Sequence, residues 1–169
     1  MLPEVGDPAD RSGMSGIATD PPAVLGALLP AAVAWAEAQC VRGLAAGMPL
    51  SPDFLRLARR AGVLVPGRIR LTVSRKLPEP GDAALRQAAG RYGFFGPGMT
   101  GLTLGDAIFI LDGHVDPRTL SHECRHVQQY EAHGGIRSFL PIYLADVLAA
   151  GYRESRFERD ARRHETDEG

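Results

Sequence analysis

The segment HECRH, residues 122–126, combines two histidines and a glutamate at the spacing of a metal site. Asp116-Pro117 is typical of a helix start and Gly134-Gly135 of a helix end, so this segment is predicted to lie inside one helix. Residues four apart leave the same face of a helix, and their two imidazoles can therefore bind one zinc ion. Glu123 is rotated away from the metal, where a carboxylate can take a proton from a water molecule and pass it to a leaving amine.

His122 and His126 would supply two ligands, and a catalytic zinc site needs a third that still leaves one position open. His133 lies on nearly the same helical face as His126 but about 10 Å further along the axis, so it is only a reserve candidate. A different interpretation needs no metal at all. In that case His122 and His126 are ordinary surface or core histidines, and Glu123 is a solvated carboxylate.

The elements that must position this helix follow from periodicity and from turn residues. Residues 68–73 alternate polar and aliphatic side chains, which predicts a half-buried strand, and two further short strands are predicted at 101–104 and 107–111. Helical patterning with start and stop signals predicts the helices. They cover residues 31–46 with Pro30 in the first turn, 52–61, a short helix capped by Asp82, 117–133, and an apolar stretch after Gly135.

The runs GLTLGDAIFI, LSHECRHVQQYEAHGG and GYRESRFERDA, within about residues 100–162, resemble a group of small bacterial zincin-like domains. The helix itself is similar to the active-site helix of zincin-fold metallopeptidases. This resemblance implies an α+β fold, in which helices pack on a small, mainly antiparallel sheet and the metal helix lies beneath its edge strand.

The same resemblance implies a glutamate as third zinc ligand, as in gluzincins. Matching the Glu-x-(Glu/Asp)-Ala pattern places this ligand at Glu158, with Asp160 orienting a ligand histidine, and Glu154 one helical turn earlier is the reserve. Considered without the metal site, the alternating charges of residues 153–163 favour an exposed helix with salt bridges over a metal ligand.

The predicted activity is hydrolysis of a peptide or amide bond in a peptide or protein substrate, with Zn²⁺ as the cofactor. Leu102, Leu104, Ile108 and Ile110 mark the strand that is expected to pair with an extended substrate. Two other classes stay open. One is a zinc-stabilised binding or assembly module without turnover, and the other is a structural domain without metal.

Composition narrows these classes. The 169 residues include 19 basic and 20 acidic side chains, and this balance argues against non-specific nucleic-acid binding. The most apolar stretch, residues 23–36, is interrupted by Pro30 and is shorter than the roughly twenty residues of a bilayer span, so no membrane span and a cytoplasmic location are expected. Residues 1–20 are predicted to be a flexible lead, 21–162 a single zincin-like domain, and 163–169 a flexible tail.

Overall fold

Four strands form a small mixed sheet on which six α-helices pack in the computed structural model, which describes residues 20–168. The lead predicted for residues 1–20 lies outside these residues except for Asp20. The elements are α1 (Pro21–Ala46), β1 (Met48–Pro49), α2 (Pro52–Arg60), β2 (Arg70–Ser74), α3 (Ala83–Arg91), β3 (Gly101–Leu104), β4 (Ala107–Leu111), α4 (Pro117–Ala132), α5 (Ile136–Ala150) and α6 (Arg156–Arg163).

The strand order is β1-β2-β4-β3, and β3 is one edge of the sheet. The outer pairs β1–β2 and β3–β4 are antiparallel, whereas the central pair β2–β4 is parallel over five residues. The sheet is therefore mixed, and the prediction of a mainly antiparallel sheet is corrected. The reason is the long connection between β2 and β4, which contains α3 and is long enough for a crossover that brings β4 in parallel to β2.

A tight turn at Gly105-Asp106 joins β3 to β4, with Leu104 opposite Ala107. Gly105 has a φ of +63°, a conformation that glycine adopts at no steric cost. Within β4, Ile108 and Ile110 belong to the core formed with α2 and α4, while Phe109 belongs to the core formed with α1 and α5. Because successive side chains of a strand point to opposite faces, β4 contributes to the core on both sides of the sheet.

Helix α1 begins at Pro21, nine residues before the predicted start at Pro30, which lies inside the helix with its side chain exposed. The helix is therefore longer than the predicted helix of residues 31–46 and extends beyond the apolar stretch of residues 23–36. Residues Pro22–Ala46 form the one helix of the described chain that is long and apolar enough to cross a membrane, judged by length and composition alone. Its C-terminal half packs on the sheet, where a Cβ at Gly43 would lie 2.7 Å from Ala107 Cβ.

Candidate metal centre

Helix α4 begins and ends at the predicted signals. The Asp116 side chain accepts a hydrogen bond of 2.7 Å from the backbone N–H of Thr119, and the helix ends at Ala132 before Gly134, which has a φ of +84°. This helix packs beneath the edge strand β3 and also against α6. The HECRH segment of α4 therefore lies between the edge strand β3 and helix α6.

Three potential metal ligands converge at one point, namely His122, His126 and Glu158. One ligand atom from each of these residues lies within 4.8 Å of the other two. The two Nε2 atoms are 3.2 Å apart. Glu158 lies 3.5 Å from His122 Nε2 through Oε2 and 3.3 Å from His126 Nε2 through Oε1. These three residues could hold a metal ion.

The spacing of these atoms fits a tetrahedral ion. Bonds of about 2.05 Å to one zinc ion would place neighbouring ligand atoms about 3.3 Å apart. The 3.2 Å between the two Nε2 atoms matches this edge length. Each histidine also has one Glu158 oxygen at a similar distance, Oε2 at 3.5 Å from His122 and Oε1 at 3.3 Å from His126. Three protein ligands of this kind leave the fourth tetrahedral position for water or substrate.

Hydrogen bonds fix the orientation of His126. Its Nδ1–H donates to Gln129 Oε1 at 2.9 Å, and the Gln129 amide in turn donates to Asp160 Oδ2 at 2.9 Å and to the Phe157 carbonyl at 3.1 Å. Asp160 is also held by Arg125 Nε at 2.7 Å. Because Nδ1 is hydrogen-bonded to Gln129, Nε2 of His126 faces Glu158, and its lone pair would become available to a metal when Nε2 loses its proton. Asp160 thus acts on the histidine through Gln129 and not directly.

Glu165 orients His122 in the same way. The Nδ1–H of His122 donates to Glu165 Oε1 at 3.1 Å, and Arg118 Nε donates to Glu165 Oε2 at 2.6 Å. The backbone N–H of Thr166 donates to Ser121 Oγ at 3.1 Å, which ties this segment to α4. Sequence reasoning missed Glu165, because it follows α6 in a segment predicted as a flexible tail and no local pattern points to His122.

Glu158 is 98% shielded from solvent and receives a hydrogen bond of 2.7 Å from the Tyr143 hydroxyl. Burial opposes ionisation of Glu158, but the charge of His126 and the hydrogen bonds of both histidines and Tyr143 hold its pKa well below the ordinary value. Burial alone would lower the pKa of His126, yet the adjacent Glu158 raises it to about 9. Burial, followed by the charge of Glu158, raises the pKa of Tyr143, so its hydroxyl stays a donor.

Glu123 is buried beside the metal-type cluster and faces β3. The Thr103 hydroxyl lies 2.7 Å from Glu123 Oε2 and 3.1 Å from its backbone oxygen. A Cβ added at Gly101 would lie 2.7 Å from Glu123 Cδ, closer than any ordinary contact. Glycine at position 101 therefore leaves the space that the carboxylate occupies, a role that the sequence alone did not reveal.

Comparisons with protein-family models, with curated proteins and with solved structures give no significant match. The function must therefore be argued from the site itself.

The two reserve candidates lie outside the cluster. Glu154 is exposed in the turn before α6. His133 ends α4, where its Nδ1 is 2.8 Å from the Gln129 carbonyl and its ring packs on Phe139 with centroids 4.9 Å apart. Cys124 is fully buried, and burial raises the pKa of its thiol to about 12, so it stays a neutral thiol.

The four residues of the expected substrate strand differ in their access to a partner. Leu102 and Leu104 lie on β3, the edge of the sheet, with Leu102 half-buried. Ile108 and Ile110 lie on β4, which is hydrogen-bonded to β2 on one side and to β3 on the other. Of these two strands, only β3 has a backbone edge without a partner strand among residues 20–168. Pairing of the expected strand with a substrate is therefore restricted to β3.

Proposed function

We propose that this protein is a zinc-dependent hydrolase of peptide or amide bonds. The observation that carries the proposal is the convergence of His122, His126 and Glu158 within 4.8 Å, with the Glu123 carboxylate beside them. Two imidazole nitrogens and one carboxylate oxygen are a donor set that suits zinc, and three such ligands with an open position are typical of catalytic zinc sites.

The donor set fits the ion in charge and in hydrogen bonding as well. Both Nδ1 atoms are engaged by Gln129 and Glu165, so both Nε2 atoms face the site, where zinc would take the place of the proton on His126. The Glu158 carboxylate supplies one negative charge in a buried place, where a cation would offset it. When bound, zinc would act as a Lewis acid that lowers the pKa of a water molecule and polarises the scissile carbonyl.

Glu123 is proposed as the general base. Its carboxylate takes a proton from the attacking water as the carbonyl carbon is attacked, and then gives this proton to the nitrogen of the leaving amine. Thr103 holds one carboxylate oxygen at 2.7 Å and so fixes the direction of the other. Gly101 leaves room for the group to reach its partner.

An extended substrate would pair with the free edge of β3. Backbone hydrogen bonds to a strand edge align a peptide without selecting its sequence. Because Gly101 and Thr103 both contact Glu123, a chain bound along β3 passes directly over the proposed base. With the metal helix α4 beneath this edge, the arrangement supports a zincin-like relationship, in keeping with the resemblance of the HECRH helix.

Metal analysis of the purified wild-type protein and three variants tests the metal site. About one zinc per chain is expected in the wild type, and His126→Ala and Glu158→Ala should lose most of it. Glu154→Ala is the matched control, because this glutamate precedes the same helix but is exposed, and it should keep its zinc. Equal zinc content in Glu158→Ala and the wild type would contradict the assigned ligand.

Hydrolysis is tested separately with a fluorescence-quenched peptide library. Glu123→Gln should retain zinc and lose at least 99% of the activity, since general bases contribute about 10²–10⁴-fold. Full zinc content with no cleavage of any peptide or unfolded protein by the wild type would refute the hydrolase and favour a zinc-stabilised binding module.

A further inference from the structure

A cavity of about 130 Å³ lies next to the proposed metal site and along the edge strand β3. Glu123, His126 and Glu158 form its polar end. All four residues of β3, Gly101–Leu104, line the same cavity. A substrate chain on β3 with its scissile bond at Glu123 would therefore have this space within reach of a side chain next to the bond.

The rest of the lining is apolar or aromatic and comes mainly from α1, α3, α5 and the loop of residues 92–99. Among the residues that line the cavity there is no lysine, arginine or aspartate, and the only carboxylates are those of Glu123 and Glu158 at the metal end. A charged side chain in this space would be desolvated without a partner, at a large cost. The chemistry of the walls thus selects an apolar group.

The size of the cavity fits one large side chain. An apolar cavity of about 150 Å³ can hold a benzene molecule, and 130 Å³ is close to this volume. Interiors are normally packed to the density of organic crystals, so a space of this size leaves many wall atoms without contacts. An occupant with the volume of a leucine, methionine or phenylalanine side chain would restore these contacts.

The wall formed by residues 92–99 has an unusual backbone. Phe95 is the one non-glycine residue of the described chain with a positive φ, at +58°. Its ring packs edge-on against Trp35 of α1, with centroids 6.2 Å apart, and both rings line the cavity. A bulky residue adopts this conformation only where its surroundings impose it, as is common at ligand sites. The packing of Phe95 against Trp35 therefore holds this part of the wall in a conformation that the sequence alone would not favour.

We propose that this cavity binds the large apolar side chain of the substrate residue adjacent to the scissile bond, so that the protein cleaves peptides beside a Leu, Met or Phe residue. This inference rests on the proposed hydrolase function. The inference adds the class of substrate side chain to that function. One experiment tests it without turnover and a second tests it with turnover.

Cavity-filling variants of α3 distinguish the wall from the helix surface. Ala88 and Ala89 line the cavity, whereas Ala84 is exposed on the same helix and does not line it. Ala88→Leu adds three carbons to the space, and Ala84→Leu makes the same chemical change outside it. Ala89→Leu is a second filling variant in case Ala88→Leu does not fold, and circular dichroism checks folding in each case.

The first experiment measures binding without hydrolysis. Zinc-loaded Glu123→Gln protein is titrated with N-acetyl-phenylalanine amide and, separately, with N-acetyl-aspartic acid amide, and chemical shifts are followed by NMR. The phenylalanine probe should bind at least tenfold more tightly, with shifts confined to the cavity lining. Ala88→Leu in this background should weaken it at least tenfold, and Ala84→Leu should not. Equal affinity for both probes, or no effect of either filling variant, would overturn the inference.

The second experiment maps cleavage sites of the active protein in a peptide library. A large apolar residue should occupy one fixed position beside the cut, with kcat/KM about tenfold or more above that for alanine. Ala88→Leu should shift this preference to smaller residues. Cleavage without such a preference overturns the cavity assignment and leaves the hydrolase standing. If no peptide is cleaved, the hydrolase fails, and binding of the phenylalanine probe decides the cavity by itself.

Discussion

Replacement of Gly101 by alanine should displace the proposed base, Glu123, without removing any metal ligand. The new Cβ would lie 2.7 Å from Glu123 Cδ and 2.9 Å from Cγ, whereas ordinary contacts begin at 3.4 Å. Because β3 is held by β4, the side chain of Glu123 must yield, by about 0.7 Å at its carboxyl carbon. The three atoms nearest to the new Cβ all belong to Glu123, which is not one of the proposed metal ligands.

The size of the effect follows from this displacement. A misplacement of about 1 Å in a catalytic group can cost about 100-fold in rate. A fall in kcat of about 10- to 100-fold is therefore expected for Gly101→Ala, which corresponds to about 1.4–2.7 kcal/mol in the barrier. Zinc content should be unchanged. Stability should fall by only about 1 kcal/mol, because the Thr103 hydroxyl keeps the Glu123 backbone oxygen as an acceptor when the carboxylate moves.

The assay combines zinc analysis, thermal unfolding and kcat on a peptide selected from the library. Gly98→Ala is the matched control, because a Cβ at that position meets nothing within 4 Å. In a Glu123→Gln background, Gly101→Ala should cause little further loss, since both changes act on one group. Undiminished kcat in Gly101→Ala, or an equal loss in both backgrounds, would refute the assignment of Glu123 as the base in this position.

Three further predictions concern the metal and the charges around it. Glu165→Ala should raise the Kd for zinc by about 10- to 100-fold in a chelator competition, whereas Glu168→Ala should not, because only the first carboxylate holds His122. Zinc binding at pH 7.5 should release close to one proton from His126, whose pKa without metal is raised to about 9, and calorimetry in buffers of different ionisation enthalpy measures this. Without metal, the raised pKa of His126 contributes stability that is complete below about pH 6.5 and is lost as the pH rises through about 9. The urea midpoint of the metal-free protein should fall over this range, and a flat profile, or the same slope in His126→Ala, would contradict the pairing with Glu158.

Prediction from the sequence succeeded where the signal is contained in one segment. The start of α4 at Asp116-Pro117, its end near Gly134 and the i, i+4 placement of two histidines all depend on contacts within a few residues. The positions of β3 and β4 were likewise predicted from local alternation, whereas their pairing as a hairpin across Gly105-Asp106 was left open by the sequence. The start of α1 was wrong because Pro30 was taken as a first-turn proline, although an exposed proline can also be accommodated inside a long helix.

The site could be predicted only in part for the same reason. Glu158 was assigned through a resemblance and not from its own surroundings, since the sequence around it, taken alone, favours an exposed charged helix. Its burial against Tyr143 and both histidines arises from the packing of α6 on α4. Glu165 carries no local signal, because its partner His122 is 43 residues away.

By itself, then, the amino-acid sequence determined a capped helix that presents two imidazoles one turn apart with a carboxylate between them, since helix geometry fixes these positions without help from the rest of the chain. The tertiary structure alone decided which distant glutamate completes the cluster, which side chains orient the histidines, and that Gly101 makes room for Glu123. It also decided the parallel pairing of β2 with β4 and the apolar cavity beside the site. These features depend on atoms brought together by packing across the fold, and no periodicity within a single segment encodes such distances.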